Sequence, residues 1–425
     1  MLTKEENEYI TRVGPGTPMG NLFRHYWMPA LLSHELPEPD GAPVQVRILG
    51  EDLVAYRDSG GQVGLLGEFC PHRKASLFLG RNEEHGLRCV YHGWKFDTTG
   101  ACTDMPNEPA ESNFRDKIRH TAYPCRDAGG VVWAWMGPRD RMPELPQFEW
   151  TLVPDTHRTV SKLYQANNWL QGVEGGIDSS HVSFLHSSRQ SGAQGPTRTF
   201  GVGGLFSSTD TAPKFSLLET DYGFLIGASR TTNVQDLSYW RLTPFMLPFY
   251  TVIPGRISSG EQVYSGHAWV PIDDYSTWMV TYSWHPAEPI AQQRVHPAHY
   301  VPRDPATFKP LANRSNWYGL DRQMQKTENY TGIANGSDQD RAVQETMGPI
   351  VDRTTEHLGT SDTAVIAARR TLIRQARDLE SGREPAPAWN PAAFRLRSLS
   401  CELPSAYTIE QANTAFQARQ PSPIA

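Results

Sequence analysis

Two short cysteine–histidine pairs, Cys70-Pro71-His72 and Cys89-Val90-Tyr91-His92, stand sixteen residues apart in a chain that has only five cysteines and fourteen histidines. Each pair is short enough to bring both side chains to one centre, so four donors converge. Thiolate is soft and imidazole borderline, a set that suits a tetrahedral zinc or a 2Fe-2S cluster with both histidines on one iron. Trp94, two residues on, is either a shield over such a centre or an ordinary core tryptophan.

A second group lies further on, where Asn168, Glu174, Asp178, His181 and His186 interrupt an otherwise apolar stretch. Burying so many polar groups is costly unless each is satisfied. On a regular helix Asp178 and His181 share a face, whereas His181 and His186 diverge by about 140°. The helix therefore distorts near Ser183 or ends by His186, and such distortions gather at functional sites. From the residues alone, satisfied core histidines and metal ligands are equally good readings of this pair. The acids Asp338, Asp340 and Glu345 downstream either decorate a helix start, where they favour the dipole, or supply a ligand.

The elements that must carry these groups follow from texture. Residues 44–135 are short β-like runs cut by Gly, Pro, Asp and Asn, which predicts a small all-β unit holding both cysteine–histidine loops. The Pro-rich stretch 142–146 predicts a boundary near residue 145. Residues 165–186 contain no proline and read as helix; residues 199–285 read as a long antiparallel sheet with turns at 220–223 and 271–275. Residues 286–334 predict a long excursion over the body, and 338–380 return to helix, amphipathic over 364–376.

Composition bounds the partners. The 425 residues are 38% hydrophobic and 20% charged, with 40 Lys and Arg against 46 Asp and Glu. A net charge of −6 without a basic run gives no footprint for nucleic acid or an anionic membrane. The most apolar window, 129–136, falls far short of the ~20 residues of a membrane span, and the polar start MLTKEENEYITRV carries no apolar signal segment. A cytoplasmic protein with reduced cysteines is expected.

The pattern Cys-x-His, sixteen residues, Cys-x-x-His, followed by Gly93-Trp94-Lys95-Phe96-Asp97, resembles the Rieske cluster signature. Residues 168–186 resemble the mononuclear-iron motif of Rieske non-haem iron oxygenases, and Asp340 matches the family's Asp-x-x-Val-x-Glu pattern, with Asp338 second choice. The segments 12–20, 26–30, 269–274 and 347–353 are similar to the phthalate-dioxygenase branch, and the likeness runs from about residue 5 to 400. The resemblance implies an α+β chain: residues 1–145 with the all-β Rieske domain, then 146–425 with a curved antiparallel sheet and flanking helices around iron.

It implies Cys70 and Cys89 on one cluster iron, His72 and His92 on the other, and His181, His186 and Asp340 on a mononuclear Fe(II). Members assemble as homotrimers, some stacked into hexamers, with electrons crossing between subunits, and Asp178 would bridge His181 to the neighbour's His92. A separate NAD(P)H-dependent flavin and iron–sulfur reductase would supply electrons. The reaction would be cis-dihydroxylation of an aromatic carboxylate with dioxygen, or monooxygenation that removes an O-methyl group. Arg241 and Arg230, on strand-like runs, and Ser179, beside Asp178, are the expected carboxylate contacts. A zinc-stapled binding protein and an electron-transfer ferredoxin with a ligand domain are the rival classes; metal and sulfide analysis separates the three.

Overall fold

The computed structural model describes residues 1–109, 111–188, 198–199, 210–256, 263–291 and 295–419. Parts of the predicted sheet stretch, 200–209 and 257–262, lie outside the described residues.

Between Trp27 and Trp135 the chain forms three small antiparallel sheets, the all-β unit expected over 44–135 extended by one strand at Trp27–Leu32. One joins Trp27–Leu32, Val131–Trp135 and Cys125–Ala128; another orders Val44–Ile48, Glu51–Arg57, Val63–Gly67 and Ala122–Tyr123. The third, Arg81–Glu83, Gly86–Arg88, Lys95–Phe96 and Cys102–Asp104, holds the second cysteine–histidine loop between two of its strands. Val54, Leu66, Leu77, Leu87 and Phe96 pack into a separate small core with Cys70 and Cys89, so both thiols are fixed from the inside.

The second part is one antiparallel sheet in the order Arg158–Gln165, Thr277–Trp284, Tyr264–Pro271, Tyr250–Ile253, Leu237–Met246, Gly223–Thr231, Lys214–Thr220. The late strand Leu399–Pro404 joins it on Leu237–Met246. The expected turns at 220–223 and 271–275 connect neighbouring strands as hairpins. The predicted helical stretch 338–380 is two helices, Gly336–Thr346 and Thr363–Glu380, separated by an extended passage that contains Gly348, Pro349 and Arg353. Among the described residues no helix is long and apolar enough to cross a membrane.

The predicted helix over 165–186 is shorter than its pattern. It spans Trp169–Ile177, capped by the Asn168 Oδ1, which accepts the Leu170 N–H at 3.1 Å. The same amide donates to the carbonyls of Thr11 and Asp274, tying the helix start to the N-terminus and to a sheet turn. Gly172 and Gly176 lie one turn apart on the face against Trp269; a Cβ at either would fall 2.2 and 2.0 Å from the indole. Glycine here permits close helix-on-sheet approach. Glu174 is structural: it receives Arg353 at 2.9 Å and Arg369 at 2.7 Å. Burial opposes its charge, but the two guanidinium groups outweigh burial and hold the carboxyl below its usual range.

The helices Lys4–Thr11 and Pro18–Arg24 pack on Thr363–Glu380. Asn7 donates to the Val351 carbonyl and Tyr9 to Glu380. Residues 4–24 thus cross the boundary drawn at 145 and clamp the C-terminal half. Because Glu174 joins both arginines inside this junction, Glu174→Gln leaves the buried Arg353 without its carboxylate and Arg369 with Glu356 alone. The expected loss is about 3–5 kcal/mol of folding stability, read as a lowered midpoint in urea unfolding; a shift within error would deny the junction its role.

Candidate metal centres and the cavity between helix and sheet

The two cysteine–histidine loops repeat one backbone design. The Lys74 N–H donates to the Cys70 carbonyl at 2.9 Å and the Gly93 N–H to the Cys89 carbonyl at 3.0 Å; Cys70 and Cys89 in turn donate to the carbonyls five residues on, at Ala75 and Trp94. Both fourth residues are left-handed, Lys74 at φ 63° and Gly93 at φ 79°. At Gly93 a Cβ would meet Pro106 at 2.6 Å, which makes glycine obligatory there. Left-handed Lys74 has no such excuse and is held by the loop's own hydrogen bonds.

The result is a matched pair of fingers. His72 and His92 lie with ring centroids 4.5 Å apart, and Trp94 stacks on His72 at 4.5 Å and 11° while its indole N–H donates to Asn107. Cys70 and Cys89 are buried and form no disulfide. Burial and the neighbouring Cys89 thiol push the Cys70 thiol up to about 11. Two enclosed thiols facing each other fit a cationic centre that takes both as thiolates, with two imidazoles opposite.

The second group closes around one point. His181, His186 and Asp340 offer ligand atoms that all lie within 4.8 Å of one another. The helix stops at Ile177, Asp178 is extended, and a tight turn His181–Ser183 follows. That break solves the 140° problem, since the two imidazoles now stand edge to face with centroids 5.1 Å apart. Asp340 comes from the second turn of Gly336–Thr346, capped by Asn335. Its Oδ1 is 3.1 Å from His186 Nε2 and 3.5 Å from His181 Nε2.

Each imidazole is oriented from behind. Gln339 Oε1 lies 2.8 Å from His186 Nδ1, and the amide is fixed because Gln339 Nε2 donates to the Ile333 carbonyl at 2.7 Å. Asp178 Oδ2 lies 3.5 Å from His181 Nδ1 while the same carboxylate accepts the Ser180 and His181 backbone N–H groups. Both Nε2 lone pairs are thereby turned to the Asp340 side, the second-sphere arrangement that metal-binding histidines use. Burial alone would depress His186 and raise Asp340; the mutual attraction wins, so His186 is raised and Asp340 lowered. Two histidines and one carboxylate with open sides fit a non-haem ferrous ion. Asp338 is used otherwise, in a 2.6 Å ion pair with Arg341.

Beside the triad lies a cavity of about 470 Å³, lined by Ile177, Val182, Ile253, Trp269, Met279 and Val295 together with Asp178, Ser179 and Arg241. Alternation puts Arg241 with Thr243, and His267 with Trp269, on the sheet face that meets it. Arg241 has no carboxylate partner among the described residues, and its buried Nε makes no hydrogen bond. Arg230 is not among the lining residues: its guanidinium is spent on the Ser179 hydroxyl and carbonyl and on the Asp210 carbonyl, so its expected contact with substrate is not what the geometry provides. It holds Ser179 in place instead. Gln339, His267 and His296 escaped the sequence reading. Gln339 was findable as the neighbour of Asp340; the two histidines were not, because only strand register and the 295–300 turn bring them to the wall.

The chain matches the Rieske [2Fe-2S] domain family over residues 26–122 and the LigXa C-terminal domain-like family over residues 134–406. It is 40% identical to the phthalate 4,5-dioxygenase oxygenase subunit of Pseudomonas putida, over 90% of this chain and 88% of that one. It is 37% identical to the 3-chlorobenzoate-3,4-dioxygenase oxygenase subunit of Comamonas testosteroni, over 90% of both.

The chain belongs to the Rieske oxygenases.

The fold agrees: the caffeine-bound NdmA QL mutant of Pseudomonas putida CBB5 superposes with a TM-score of 0.60 at 18% identity, covering 92% of this chain and 99% of that one. As the oxygenase component of such a Rieske system the protein carries a 2Fe-2S cluster and a mononuclear non-haem iron.

Proposed function

We propose that this Rieske oxygenase cis-dihydroxylates an aromatic carboxylate of the phthalate or substituted-benzoate type, adding dioxygen, two electrons and two protons to the ring. The observation that carries the reading is Arg241, a cation without an acidic partner among the described residues, on the wall of an apolar cavity that also holds the His181–His186–Asp340 triad. A half-buried guanidinium whose Nε is enclosed without a partner is suited to an anion, and a carboxylate matches its planar fork. The relatives' names, a phthalate and a chlorobenzoate enzyme, point the same way.

In this reading Cys70, His72, Cys89 and His92 hold the cluster, and His181, His186 and Asp340 hold the ferrous ion. When bound, the two centres supply single electrons and dioxygen activation, which side chains alone cannot. Arg241 and the Ser179 hydroxyl grip the carboxylate; Ile177, Trp269 and Met279 exclude water and hold the ring flat; Asp178 and Gln339 keep the two imidazoles turned inward.

Electrons come from an NAD(P)H-dependent flavin and iron–sulfur reductase, and the chain works in the cytoplasm as a homotrimer. Support for the trimer is a pair of exposed apolar patches, one at the cluster loops with Phe69, Leu79 and Tyr91, the other outside His181 with Phe184, Trp317 and Tyr330. The Rieske unit ends near residue 145, and 146–425 is the catalytic unit with residues 4–24 packed on it.

A screen of benzoate, the phthalate isomers and methoxybenzoates with a surrogate reductase, with products identified, tests the substrate class. Conversion of methoxybenzoates to phenols without any diol would replace dihydroxylation by O-demethylation. Within the same assay Arg241→Met is expected to raise KM for a benzoate-type substrate well over tenfold, with kcat changed far less; an unchanged KM removes the carboxylate grip.

A further inference from the structure

The polar atoms that a cavity wall leaves without partners define what it can bind. Beside the triad, one such atom belongs to His296, which lines the cavity near Val295 and Trp269. His296 caps the short turn Pro297–Tyr300, and its Nδ1 accepts the Ala298 backbone N–H at 3.1 Å. An imidazole whose Nδ1 lone pair is committed in this way carries its proton on Nε2. A ring that accepts at Nδ1 and bears its proton at Nε2 is neutral.

The ring is also held still. Its backbone N–H donates to Ser283 Oγ at 3.4 Å, and the His267 ring packs perpendicular to it at 4.9 Å, itself tied through Nδ1 to Thr281 Oγ1 at 3.1 Å. What remains is a single N–H of fixed tautomer for which the described residues supply no acceptor. A neutral donor adds no charge, so it is not what balances a carboxylate already matched by Arg241. That N–H faces the cavity, where a ligand oxygen can accept it in place of water.

We propose that the cavity takes an aromatic carboxylate bearing a second oxygen substituent, and that this oxygen accepts a hydrogen bond from His296 Nε2–H. His296 is then a specificity-determining residue. The proposal rests on the reading that Arg241 holds the first carboxylate, and the test separates the two. Dissociation constants for benzoate, isophthalate and 3-methoxybenzoate are measured by calorimetry on metal-replete full-length protein carrying His296→Phe, His296→Gln or Arg241→Met. Loss of the donor in His296→Phe is expected to weaken isophthalate or 3-methoxybenzoate about tenfold while benzoate changes less than twofold, and His296→Gln, which keeps an N–H, restores most of it. A response to isophthalate alone assigns a second carboxylate; a response to 3-methoxybenzoate alone assigns an ether; either supports the donor. Equal weakening of all three ligands, or none, overturns it. His296→Met gives the same comparison should the aromatic variant fail to fold. If Arg241→Met leaves all three constants unchanged, the carboxylate grip fails while the His296 comparison still reads its own outcome.

Discussion

Asp340→Asn yields a folded, coloured protein that has lost one iron and its turnover. Among the described residues Asp340 is the single carboxylate within reach of both His181 Nε2 and His186 Nε2. An amide at that position keeps the shape but offers no charge to a divalent ion, and two neutral imidazoles alone bind ferrous iron weakly. The cluster loops share no residue with this helix, so the visible spectrum of the Rieske centre persists. Elemental analysis is expected to fall from about three irons per two sulfides to about two per two. Turnover falls on the order of a thousandfold, about 4 kcal/mol of activation free energy. Asp338→Asn is the internal comparison: it breaks the buried pair with Arg341, costs stability, and leaves the iron in place. A third iron retained in Asp340→Asn, or one lost in Asp338→Asn, would reverse the assignment between the two acids.

Sequence carried the two donor sets because short spacing is itself geometry. In Cys-x-His and Cys-x-x-His the loop has little freedom, and the repeated left-handed fourth residue realises what the spacing demands. His181 and His186 were harder, since their separation contradicts a regular helix; only the stop at Asp178 and the turn at 181–183 reconcile them. The glycines at 172 and 176, which weaken an isolated helix, are the surface on which Trp269 lies. Residues that act across long separations stayed hidden. Glu174 matched a metal motif but serves Arg353 and Arg369, and Arg230 shared the strand character of Arg241 but faces Ser179. Such distinctions depend on which buried partner arrives from elsewhere, a long-range fact that local pattern does not contain.

Asp178→Asn is expected to separate metal binding from electron delivery. The carboxylate does two jobs at the helix end: it accepts the Ser180 N–H at 2.6 Å, and it stands 3.5 Å from His181 Nδ1. Asparagine keeps an acceptor oxygen for the backbone, so the break in the chain and the position of His181 survive. It removes the negative charge that faces the imidazole and that, burial notwithstanding, is kept ionised by His181 and these N–H groups. Loss of such an orienting carboxylate typically costs 10–100-fold in affinity or activity. Where the same group also bridges to His92 of a second copy, the coupling between the two centres is lost as well, and the cost reaches at least about a hundredfold. The measurement is single-turnover reoxidation of the reduced protein with oxygen and substrate, followed by the cluster's absorbance, on samples shown to hold three irons and two sulfides by the count expected from the ligands. Unchanged single-turnover rates would reduce Asp178 to a helix-end cap. A slow rate with depleted iron would make it a support for His181 alone, because only full metal content with slow reoxidation isolates the bridge.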